Sequence, residues 1–197
     1  MNAKHDQEQL LEKYVASFPK LDEMIIEDDG FPSGASRLAT GEESEYGFKI
    51  WRPIRVEPNP ALLEPIYREL PARFPPLYEL LVLSYRWAEA DLDFYRLAAN
   101  PPGNDLSGLL RNMLADPGLT ELLLPNGFVQ FAKGPSVDYD PVCFDIKKRQ
   151  KNGEFGIVKI DHEQILCNYQ IRIVAELAPS FEQLIIETIN RADAKQV

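Results

Sequence analysis

Long hydrophobic runs are missing from this chain of 197 residues. The longest, such as Leu80–Leu83 and Leu122–Pro125, fall far short of the roughly 20 residues that a bilayer span needs, so no transmembrane helix is expected. The opening Met1-Asn-Ala-Lys-His-Asp-Gln-Glu lacks the apolar stretch that follows the basic region of a signal peptide. The expected compartment is therefore the cytoplasm. Cysteine is scarce too: Cys143 and Cys167 are the only two, and in a reducing compartment both are expected as free thiols. His5 and His162 are the only histidines, and no ligand spacing joins them to the cysteines in a zinc site. The chain has no Gly-rich phosphate loop, no Gly-x-Ser-x-Gly and no His-Glu-x-x-His. Gly30-Phe-Pro-Ser-Gly34 lacks the lysine and the strand–loop–helix setting of a phosphate loop and reads as surface loop. No cofactor and no metal is called for, and no internal repeat is visible.

Positive charge is the other shortage. Twenty-one basic residues face 31 acidic ones, a formal charge of −10. That balance disfavours direct binding to a nucleic-acid backbone, which needs a basic face. It suits a basic partner, or plain solubility. The excess is not an acidic tail, because residues 1–60 and 61–197 each carry about half of it. The only basic cluster, Lys147, Lys148, Arg149 and Lys151, reads as a solvated hairpin tip.

What the chain does have is core material, with 45 % apolar and 10 % aromatic residues. Leu10, Leu11, Tyr14, Val15 and Phe18 share one stripe, which predicts a helix over 6–18 stopped by Pro19. Residues 27–47 read as loop. Phe48–Val56 reads as a strand that Pro53 confines to an edge or splits. Asn59 and Pro60 open a helix that Pro65 interrupts, and Pro75-Pro76 open another over 76–85. A strand is expected near Tyr85–Leu92, and a helix over Leu106–Asp116 that Asp116-Pro-Gly ends. Then come strands at Phe128–Ala132, Val142–Ile146 and Gly156–His162, with a turn at Asn152-Gly153 and a fourth strand at Tyr169–Val174. Ser180 with Gln183 forms a capping box before a final amphipathic helix.

Four features invite a chemical reading. Asp161-His162-Glu163 places an imidazole between two carboxylates, which suits proton transfer. On a strand, however, neighbours alternate faces, so His162 points away from both and the simpler reading is a strand end whose carboxylates cap the turn. Asp138, Asp140 and Asp145 could supply oxygen ligands for a hard cation, but the simpler reading of Asp138 and Asp140 around Tyr139 and Pro141 is a turn leading into a strand. Trp51 and Trp87 read as core before partner anchors, and Cys143 between Val142 and Phe144 as a small buried hydrophobe.

Three segments then carry a resemblance: Leu70-Pro-Ala-Arg-Phe-Pro-Pro-Leu-Tyr-Glu-Leu-Leu; Asn126-Gly-Phe-Val-Gln-Phe-Ala followed by Tyr139-Asp-Pro-Val-Cys-Phe-Asp; and Ile157-Val-Lys-Ile-Asp-His-Glu continuing to Pro179-Ser-Phe-Glu-Gln-Leu. In order and spacing they resemble the SUKH superfamily over roughly 60–190, the group that includes a yeast cell-wall-synthesis regulator and many bacterial proteins. The resemblance implies an α+β fold, a curved and mainly antiparallel sheet with flanking helices. It implies a non-enzymatic binding protein, of the immunity type that neutralises toxins, often nucleases, or alternatively a regulatory scaffold. Residues 1–59 and the stretch 86–125 depart from the family's short members, so the expected division is an N-terminal extension, 1–59, packed on a domain of 60–197. Nuclease toxins tend to be basic, and an acidic inhibitor is steered toward them. Asp91, Asp93, Asp138, Tyr139, Asp140, Asp161 and Glu163 are the candidate partner-binding residues; no oligomeric state follows. A third reading, from another class, is a metal-assisted hydrolase using Asp138, Asp140, Asp161 and His162.

Overall fold

The computed structural model describes residues 3–26 and 35–195. The chain opens with α1 (Ala3–Leu21), β1 (Ile25–Ile26), a 3₁₀ turn (Ala35–Leu38), β2 (Ala39–Glu43), β3 (Lys49–Trp51) and β4 (Ile54–Arg55). A second 3₁₀ turn (Pro60–Leu63) leads to α2 (Ile66–Glu69), α3 (Pro76–Ser84), β5 (Tyr85–Arg86), β6 (Ala90–Asp91) and β7 (Arg96–Leu97). Next are α4 (Ser107–Met113), α5 (Pro117–Leu123), β8 (Phe128–Lys133) and β9 (Pro141–Asp145). A short 3₁₀ turn, β10 (Gly156–Ile160), α6 (His162–Asn168), β11 (Ile173–Ala178) and α7 (Phe181–Ala194) complete it. The architecture is α+β. Its centre is a six-stranded antiparallel sheet in the order β11-β10-β9-β8-β7-β6; β1-β3-β2 and β4-β5 form smaller antiparallel sheets.

Alternation across the central strands explains why their sequences read as nearly unbroken apolar runs. Val129, Phe144 and Ile157 lie side by side across three strands and join a large core with Leu11, Tyr14 and Phe18 of α1, Tyr78 and Leu81 of α3, and Phe181, Leu184 and Ile185 of α7. Cys143 and Val158 face the other way and pack with Phe128, Ile160, Leu119 and Leu123 of α5 and Ile165 of α6. The central strands β8, β9 and β10 are thus buried on both faces. Trp51, Trp87 and Cys143 are buried, as their patterns predict. A buried relay of hydroxyls ties the elements together: Tyr14 meets Tyr95 at 2.7 Å, Tyr95 meets Thr188 at 3.1 Å, and Thr188 donates to the Leu184 carbonyl. That last bond sets the direction of the rest, with Tyr14 donating to Tyr95 and Tyr95 to Thr188.

Several expectations need correction. Helix α1 runs through Pro19 to Leu21, because a proline in the last turn gives up one donor near a helix end that is already fraying. Within the stretch expected as loop, residues 35–43 form a 3₁₀ turn and β2; the rest of it up to residue 34, including Gly30-Phe-Pro-Ser-Gly34, lies outside the described residues. Asp116 does not merely end a helix: its carboxylate accepts from the Leu119 N–H and starts α5, with Pro117 at the first position. The fourth long strand begins at Ile173, after α6, and not at Tyr169. The split at Pro53, the interruption at Pro65 and the Ser180 cap are found as expected.

Candidate functional site

The sequence Asp161-His162-Glu163 is a helix start, not a strand end. The Asp161 carboxylate accepts from the Gln164 N–H at 3.0 Å, and His162 and Glu163 form the first turn of α6. Tyr169 closes that helix in the left-handed region, φ 54°. The alternation argument that separated His162 from its neighbours therefore does not hold, yet the imidazole pairs with neither of them. Its Nδ1 lies 2.7 Å from Asp140 Oδ1, and the His162 N–H donates to the same oxygen at 2.9 Å. A carboxylate only accepts, so Nδ1 is the donor in this bond. The Tyr139 ring stands 6.2 Å from the imidazole, centroid to centroid.

Asp140 belongs to the loop between β8 and β9, and polar contacts fix that loop along its length. The Gly134 N–H donates to the Asp140 carbonyl. The Ser136 N–H donates to Asp91 Oδ2 at 2.7 Å. Asp138 accepts from the Asp140 N–H and from Lys159 Nζ, the latter at 2.7 Å. Gly134 makes room for this: a Cβ there would stand 2.1 Å from Asp138 Cγ. Side chains point outward only where nothing holds them, and Val137 and Tyr139 are 81 % and 59 % exposed.

Of the seven sequence candidates, six converge here. Asp138, Tyr139 and Asp140 form the loop, Asp161 and Glu163 the start of α6, and Asp91 reaches across from β6. Asp93 does not: at φ 76° it binds Arg191 and Lys195 of the C-terminal helix region at 2.9 and 2.8 Å. Most of the carboxylates are spoken for internally. Asp138 pairs with Lys159, Asp140 with His162, Asp161 caps α6 with Arg172 3.8 Å away, and Asp91 also accepts from Ser136. Glu163 is exposed, with no ion pair among the described residues. Sequence reasoning missed Lys159 and His162 as the partners of this loop. Their separations, 21 and 22 residues, are set by sheet pairing and leave no local signal. For the metal reading, no group of three or more His, Cys, Asp or Glu side chains among the described residues is placed to hold an ion. Burial pushes the Cys143 thiol far above the ordinary range, which suits a core residue and not a nucleophile.

Two of these carboxylates give the fold an acid-sensitive limb. Lys195 and then Arg191 hold Asp93 below its usual value, against desolvation. Desolvation pushes Asp138 up, but Lys159 and the Asp140 N–H outweigh it and leave it below the usual value. A depressed carboxyl stabilises the fold fully above its unfolded pKa of about 4, and that stability is lost as pH falls through the folded value. Asp22 and Glu154 work in the opposite direction: burial raises both, so they favour the fold as pH falls toward 4. Melting curves between pH 5 and pH 2.5 should therefore drop less in Asp93→Asn or Asp138→Asn than in the parent, and both variants should melt lower at pH 6. Equal acid limbs in parent and variants would show that neither pairing persists in solution.

No helix among the described residues is long and apolar enough to cross a membrane. No protein-family pattern matches the chain, and no curated protein is significantly similar to it.

Proposed function

We propose that this chain is a non-enzymatic binding protein of the cytoplasm, a SUKH-like immunity protein that neutralises a basic toxin domain of the nuclease type. The observation that carries this reading is the end of the central sheet where Asp91, Asp138, Asp140, Asp161 and Glu163 surround one tightly held loop displaying Val137 and Tyr139. An electronegative face steers a cationic partner toward it, and exposed apolar side chains within that face supply contact area once the partner arrives. The overall charge of −10 works in the same direction. The α+β architecture, the three segments that resemble the family, and the placement of Tyr139 through Asp145 at the loop and strand β9 support the family reading. A regulatory scaffold with a cellular partner is the second reading; it draws on the same resemblance.

The experiment is co-expression with a basic nuclease-type toxin domain, drawn from a gene adjacent to this one, scored by growth and by size exclusion. Rescue with a stable complex is the expected result. Failure of both overturns the immunity reading for that toxin.

A further inference from the structure

Four of the large exposed apolar side chains lie on the β8–β9 loop and at α6, while Tyr46 and Phe48 lie by β3 and Ile173 and Val174 on β11. Val137, Tyr139, Leu166 and Tyr169 are 81, 59, 50 and 68 % exposed. His162 and Leu166 fall at i and i+4 on one face of α6, Tyr169 follows as its left-handed cap, and the Tyr139 ring lies against His162. Leu166 is held at the base by α5, close enough that a Cβ on Gly118 would stand 3.0 Å from its Cδ2. A clustered apolar surface of this kind marks an interaction site, whereas single exposed residues do not. Tyrosine suits such a site because a large rigid ring is buried at small cost in rotamer entropy.

The surrounding charge selects the occupant. Lys159 is spent on Asp138, and Arg172 stands 3.8 Å from Asp161. What remains at the edge of the patch is Asp140, partnered by the imidazole, and Glu163. The rim is therefore negative. The internal bonds also divide the labour. Asp138, Asp140 and Asp91 are tied to Lys159, His162 and the Ser136 N–H, so a partner that took them would first have to break those bonds. They position the loop; they do not make the contact.

We propose that the outer face of α6 and the loop Gly134–Asp140 form the docking surface for a cationic protein, one presenting an apolar pocket rimmed by lysine or arginine. Val137 and Tyr139 are the anchors, Leu166 and Tyr169 extend the apolar contact, and Glu163 meets the basic rim. This rests on the binding reading above and names its surface and the partner's chemistry.

The test uses the full chain, immobilised and panned against a phage-displayed library of random peptides. Enriched peptides should combine Lys or Arg with large apolar residues. Measured as synthetic peptides, they should bind the Val137→Ser/Tyr139→Ala double variant about 30-fold or more weakly, the size of a lost hot spot. They should also weaken several-fold between 50 and 300 mM salt. Both substituted side chains are exposed, so the variant's circular dichroism and melting temperature should match the parent's. No enrichment, enrichment of acidic or neutral peptides, or equal affinity for parent and variant overturns the proposal. The two readings fail separately. Toxin rescue that survives the double variant removes this surface and leaves the immunity reading; peptide binding lost in the variant, without toxin rescue, does the reverse.

Discussion

Replacing Phe181 by alanine should cost about 3–5 kcal/mol, the range for emptying a buried aromatic site. Phe181 is fully buried at the first turn of α7, where its ring meets Tyr14 of α1, Tyr78 of α3, Phe131 of β8 and Phe144 of β9. The centroid distances are 6.4, 5.1, 5.9 and 6.0 Å, all edge-on, and Tyr78, Phe131 and Phe144 also pack on one another, so the ring seals one aromatic cluster. These four neighbours come from separate elements and cannot close the gap together. Tyr78 adds to the cost because its buried hydroxyl has no hydrogen-bond partner among the described residues to hold the ring when the packing loosens. Against a total stability of roughly 5–15 kcal/mol the loss is large, and for a chain of this size it lowers the melting temperature on the order of 10 °C. The backbone bond from the Phe181 N–H to Glu154 Oε2 survives the change, so the helix start itself is retained. Phe181→Leu, which keeps most of the volume, should cost less than half as much. Urea unfolding of the three proteins checks this; a loss under about 1 kcal/mol for the alanine variant would show that α7 is not clamped at this junction.

The same helix shows what a sequence makes legible. Ser180 and Gln183 announce the start of α7 because the cap is a bond between near neighbours, and the stripe of Phe181, Leu184 and Ile185 announces its buried face. Strands β8, β9 and β10 are equally readable, since burial on both faces leaves an apolar run in each. Helix α6 was hidden by the same kind of reasoning. It is one residue past a true strand, and its cap, Asp161 to Gln164, lies inside a tripeptide that looks like catalytic chemistry. Helix α5 was hidden because Asp116-Pro-Gly is both a terminator and a cap. The two-residue strands β6 and β7 have too few positions to show any period. At the candidate site, residue types were visible and pairings were not. Asp138 and Asp140 stood out as acidic, but whether they meet solvent or each finds a hydrogen-bond donor is decided by β9 pairing with β10 and by α6 following it. Under the proposal above, Asp138 and Asp140 position the loop, and the exposed Val137 and Tyr139 make the contact.

Gly134→Ala should destabilise the protein by about 1–3 kcal/mol, and nearly all of that cost should vanish once Asp138 is gone. The backbone of Gly134 is not left-handed, so what glycine supplies here is space. An added Cβ would lie 2.1 Å from Asp138 Cγ and 2.3 and 2.5 Å from its oxygens, so the carboxyl must leave. Leaving breaks the ion pair with Lys159 and the bond from the Asp140 N–H, and it abandons Lys159 on a partly buried strand. Asp138→Ala removes the obstruction together with those bonds. In that background the Cβ on residue 134 meets no carboxylate, and Gly134→Ala should then change stability by less than about 0.5 kcal/mol, the ordinary scatter of a neutral substitution. The double-mutant cycle thus has a definite sign, with coupling nearly as large as the cost of Gly134→Ala alone. Additive effects would instead place the cost in the turn itself and leave Asp138 without its positioning role. Binding follows the same logic. The loop with a displaced Asp138 still carries Val137 and Tyr139, but no longer holds them in one place, so Gly134→Ala should weaken a cationic partner with neither anchor altered. Restoring the space without the carboxylate does not restore the hold, because Lys159 then has nothing in the loop to grip; Gly134→Ala and Asp138→Ala should therefore be alike in binding while differing in stability only by what the clash adds.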